Sequence, residues 1–110
     1  MLQDTITKIE GRLQNAGSPP EGSRAELLKL LEQLRTEIAH LSQTHEEQAR
    51  SIEGFTEVST YEATRAAKNP ESLKHSIGGL EASVGEFEKS HPHLVAVVNR
   101  LADMLSNMGI

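Results

Sequence analysis

"LLKLLEQLRTEIAHLSQTHEEQARSIEGF", residues 27–55, decides the fold. Leu27, Leu31, Leu34, Ile38 and Leu41 recur at steps of four and three, which places them on one face of a helix. Leu28 and Leu30 flank that line and widen it. The other face carries Glu26, Lys29, Glu32, Arg35 and Glu37, charges of both signs that suit solvent and weak pairs one turn apart. Beyond Leu41 the line weakens. His45 and Gln48 hold the next two places before Ile52 and Phe55 restore it. The spacing predicts a long helix over 24–53, started by Ser23 as N-cap with Glu26 three residues on in a capping box.

Upstream, Leu2, Ile6, Ile9, Leu13 and Ala16 keep the same spacing and predict a helix over 2–16. "NAGSPPEGS", residues 15–23, ends it in a turn. Downstream, "GFTEVSTYEATRAAKN", residues 54–69, is a weaker helical extension reaching about residue 67. Gly54 and the β-branched Thr56, Val58 and Thr60 lower its propensity, and Gly54 is a place for a kink or break. Phe55, Val58 and Tyr61 stand three apart, which is not strand alternation. Asn69 then reads as an N-cap with Pro70 at the first helical position, opening a helix over 70–90. Its line is Leu73, Ile77, Leu80, Val84 and Phe87. Gly78, Gly79 and Gly85 weaken it, which calls for close packing in return. The last helix, 91–108, presents Leu94, Val98, Leu101, Leu105 and Met108. Val95, Val97, Ala102 and Met104 broaden the apolar face. Gly109 and Ile110 suit a Schellman ending, with Ile110 clasping Leu105.

Two unbroken four-three series emerge. One runs from 27 to 62 with His45 in its middle place, the other from 73 to 108 with His91 in its middle place. Two long antiparallel helices turning near 63–72 would bring His45 beside His91. Pro92 argues for a helix break in the second series, because proline inside a helix costs about 3 kcal/mol or more.

The composition excludes several functions. Only 36% of the 110 residues are apolar, and the aromatics are Phe55, Tyr61 and Phe87 alone. Narrow aliphatic seams therefore do the packing. Net charge is −5 and the basic residues are scattered, a poor basis for phosphate-backbone binding. There is no cysteine, so no disulfide or thiolate chemistry. The start, "MLQDTITKIEGRL", lacks the charged and apolar regions of a signal peptide, and no apolar run approaches the length of a membrane span. A cytoplasmic protein is expected, off the membrane.

The opening "MLQDTITKIEGRL" (1–13) and the closing "FEKSHPHLVAVVNRLADMLSNMGI" (87–110) resemble a bacterial family of short helical proteins known only as a domain of unknown function. "SIEGFTEVSTYEATR" (51–65) resembles its longer members. The resemblance implies a small α-helical protein and carries over no activity, cofactor or site residue.

Chemical constellations are thin. His91 and His93 form an H-x-H near Glu86 and Glu88, and His40 and His45 lie beside Glu46 and Glu47. No pair of histidines has the i, i+4 spacing of a helical metal site. "IGGLEASVGE" (77–86) lacks the lysine of a phosphate loop, and no G-x-S-x-G is present. No catalytic, cofactor or metal residue is assigned, and no enzyme is expected. The reading is all-α: three to four helices in a long antiparallel bundle with coiled-coil-like seams. Its expected function is a helical interaction or scaffold protein that self-associates, a dimer being favoured, with a further protein partner open. The expected seam, for packing within the chain or between copies, is Leu27, Leu31, Leu34, Ile38, Leu41, His45, Leu94, Val98, Leu101 and Leu105. A small regulatory or DNA-associated accessory protein is the alternative.

Overall fold

The computed structural model describes residues 4, 6–8, 11 and 21–108, all of them in helices or their connections. Four α-helices lie among the described residues: α1 (Glu21–Leu41), α2 (Glu46–Thr64), α3 (Pro70–Val84) and α4 (Pro92–Met108). A single 3-10 turn, Gly85–Phe87, follows α3. Near the N-terminus Asp4, Ile6–Lys8 and Gly11 are helical, and Ile6 is buried. Most of the expected 2–16 helix, the turn before residue 21 and the Gly109–Ile110 clasp lie outside the described residues. The all-helical expectation holds. The placement of the breaks does not.

The first correction is at residues 42–45. The helix expected over 24–53 ends at Leu41 and a new one starts at Glu46. The reason is local. Ser42 Oγ donates to the Ala39 carbonyl at 2.9 Å, and Thr44 N–H to the Leu41 carbonyl at 3.1 Å. A serine hydroxyl bond and backbone bonds that span three residues thus tighten and end the turn. Glu46 and Glu47 then sit in the first turn of α2, where the helix dipole favours acids. The second correction is at Ser23. It lies inside α1, which is already helical at Glu21, so it caps nothing. The third concerns the expected helix over 70–90, which stops at Val84 and tightens through the 3-10 turn. Gly54, by contrast, breaks nothing, and α2 runs through it to Thr64 instead of 67.

Two start signals act as read. Asn69 Oδ1 accepts the N–H of Ser72 at 3.1 Å, with Pro70 following as the first helical residue. Pro92 opens α4, so the second series is broken where proline forbids continuation.

The helices close a ring. α1 packs on α4, α4 on α3, α3 on α2 and α2 on α1, with α2 and α4 also touching across the middle. The most intimate pair is α2 with α3. Leu27, Leu31, Leu34, Leu41, Ile52, Leu80, Leu94, Leu101 and Leu105 are fully buried in the common core. The ring has an internal order. An offset of 46 residues takes His45 to His91, and it takes the buried Leu27, Leu31, Leu34, Ile38, Leu41 and Ile52 to the equally buried Leu73, Ile77, Leu80, Val84, Phe87 and Val98. Each half is thus a helix, a Thr-His or Ser-His corner, and a second helix. Arg100 pairs with Glu26 at 2.9 Å across α4 and α1 on the outside.

Candidate interaction surface

α2 meets the core with small side chains. Its buried residues are Ala49, Ile52, Thr56, Ser59, Thr60 and Ala63. The threonine hydroxyls are satisfied within the helix: Thr56 donates to the Ile52 carbonyl at 2.7 Å, Thr60 to Thr56 at 2.9 Å and Thr64 to Thr60 at 2.7 Å. Each therefore buries a methyl group without stranding a polar atom. Small side chains here and Ser76 and Gly79 on α3 let the two helices come close. Gly79 is needed for a specific reason. A Cβ there would fall within 2.9 Å of the Phe55 ring, which lies across it.

A helix that buries its small residues turns its large ones outward. Phe55, Val58 and Tyr61 are 39%, 50% and 47% exposed, the exposed large hydrophobics among the described residues. They form one stripe along α2. Arg65 extends it, its guanidinium carbon 5.7 Å from the Tyr61 ring centre and its Nη1 3.1 Å from Glu62 Oε1. Lys68 closes the end of the helix by donating from Nζ to the Ala63 carbonyl at 2.9 Å.

The expected seam packs inside the chain. Leu27, Leu31, Leu34, Ile38, Leu41, Leu94, Val98, Leu101 and Leu105 are all buried within the one chain, so as placed they offer a second copy no surface. The tenth residue, His45, is half-buried and packs as the four-three series foretold. Its ring centre is 6.1 Å from that of His91, and Phe87 meets His45 at 5.4 Å and His91 at 5.3 Å, all three edge to face. The corners match in detail. Thr44 Oγ1 lies 2.8 Å from His45 Nδ1, and Ser90 Oγ lies 2.9 Å from His91 Nδ1. The two histidines meet although neither half is a continuous helix, because both halves break at the same place. Among the described residues no three His, Asp or Glu side chains are grouped to hold a metal ion.

The stripe was partly visible in the sequence, where Phe55, Val58 and Tyr61 stand three apart. Its exposure was not, because Phe55 was counted in the buried seam. The missed signal is the line Ala49, Ile52, Thr56, Ser59 and Ala63, also at steps of three and four.

The sequence model of one family, described as Domain of unknown function (DUF4404), matches residues 27–110. The chain belongs to the DUF4404 family. Its match begins at Leu27, within α1, and takes in the rest of that helix, the Ser90-His91-Pro92 corner and the whole of α2, α3 and α4. Residues 1–13 lie before the matched DUF4404 segment. No curated protein and no solved structure matches the chain. Among the described residues, no helix of this DUF4404 protein is long and apolar enough to cross a membrane.

Proposed function

We propose that this protein is a non-enzymatic helical interaction protein that self-associates. One observation carries the reading: Phe55, Val58 and Tyr61 are exposed together on α2 while the aliphatic core is closed within a single chain. In a chain only 36% apolar, three large side chains left about half exposed on one helix face have apolar area still to bury. Covering that face by another protein surface buries it, and interfaces are enriched in aromatic residues at their centres. The charge balance of −5 supports a protein partner over a polyanion.

The test is native mass as a function of protein concentration. A self-associating protein gains mass as concentration rises, with no retention on DNA. A single mass equal to one chain at every concentration overturns self-association. Retention on DNA that falls steeply with salt overturns the reading as a whole.

A further inference from the structure

We infer that two copies of this chain dimerise through the outward face of α2, antiparallel, on a two-fold axis that passes beside Val58. This rests on the self-association proposed above and assigns it a surface. At 3.6 residues per turn, Glu47, Ser51, Gly54 and Val58 lie within about 40° of one line along α2, and Arg65, the residue that caps its C-terminal end, continues that line. Phe55 and Tyr61 flank Val58, one on either side at about 60°. The arrangement is nearly the same read in either direction, large-branched-large, which suits an isologous contact in which a surface meets itself. In the antiparallel pairing the two Val58 side chains meet. Two Phe55 rings stand on one side of them and two Tyr61 rings on the other.

Charge chooses the direction and the occupant. Seven residues beyond Val58 lies Arg65, and eleven before it lies Glu47. Antiparallel pairing puts Arg65 of one copy and Glu47 of the other on the same side, about one turn apart along the axis, within reach of an arginine. Parallel pairing would set Glu47 against Glu47 and Arg65 against Arg65. Arg65 also holds its own Glu62 at 3.1 Å, and of the two directions the antiparallel one is the one that avoids like-charge pairing at Glu47 and Arg65.

The experiment uses the full chain, which has no native cysteine. Val58→Cys, placed beside the axis, should oxidise to a disulfide-linked dimer, while Lys29→Cys on α1 should remain monomeric under the same conditions. Val58→Asp should weaken dimerisation by roughly tenfold or more with its helical circular dichroism unchanged, since Val58 is half exposed. Glu47→Arg should weaken it less, and adding Arg65→Glu should restore it. A wild-type chain that dimerises equally well as Val58→Asp, with Val58→Cys failing to cross-link, overturns this face and leaves self-association standing. A wild-type chain that stays monomeric at every concentration removes both.

Discussion

α2 and α4 occupy equivalent places in the two halves and bury opposite kinds of side chain. Where α4 has Leu101, Ala102 and Leu105 in the core, α2 has Phe55 outside and Thr56 and Ser59 inside. One helix is held by the mass of its aliphatic side chains. The other is held by closeness, with small residues and hydroxyls that bond their own helix. The difference teaches that equivalent positions need not share a task. α4 is committed to the core, whereas α2 fills its place in the ring with Ile52 and small side chains and leaves Phe55, Val58 and Tyr61 partly exposed.

The comparison breaks first at Leu101 and Phe55, which are counterparts. Leu101→Ala should cost about 2–5 kcal/mol in urea unfolding, and Phe55→Ala should cost about 1 kcal/mol or less, because its ring is already partly in water. Equal losses would mean that α2 is as deeply anchored as α4. A double-mutant cycle sharpens the point at Gly79. In a Phe55→Ala background, Gly79→Ala should gain about 1 kcal/mol from helix propensity. With Phe55 present the gain should vanish or reverse, because the new Cβ meets the ring. His45→Ala should lose roughly 0.5–1.5 kcal/mol through its edge-to-face contacts with Phe87 and His91, and His91→Ala a similar amount. Non-additive losses in the double variant would confirm that the two corners act together. Ser59 Oγ is buried with no hydrogen-bond partner. Ser59→Ala should therefore leave stability unchanged or raise it by up to about 1 kcal/mol, seen as a higher unfolding midpoint. Smallest of all, Val58→Ser should shift folding stability by less than about 0.5 kcal/mol while lowering native mass at a given concentration.

Much of this fold is legible in the residues. The lines through α1, α3 and α4, the Asn69-Pro70 start and the Pro92 start follow from spacing and backbone chemistry. The four-three series brings His45 to His91 only for two continuous helices, and the two meet here because both halves break at the same place. The break at 42–45 was hidden because the apolar line resumes in phase at Ile52, as if the helix had continued. Its signal, a Ser-Gln-Thr-His run followed by two glutamates, is polar and local, and periodicity does not weigh it. The face of α2 was misjudged for a related reason. Apolar periodicity gives weight to large side chains, so Phe55 was counted in the core and Thr56 was passed over. A one-residue shift turns a helix face by about 100°, enough to exchange inside and outside. Nothing in a single sequence says that a helix will pack through its threonines.

The linker 65–69 joins the two helices that lie closest together, α2 and α3. Five residues close that loop, and little chain entropy is lost in bringing its ends together. The middle of the chain is thus able to order early, before α1 and α4 dock from either side. If the α2–α3 pair forms first, Ala63→Gly should slow refolding, whereas Leu31→Ala or Leu105→Ala should chiefly speed unfolding.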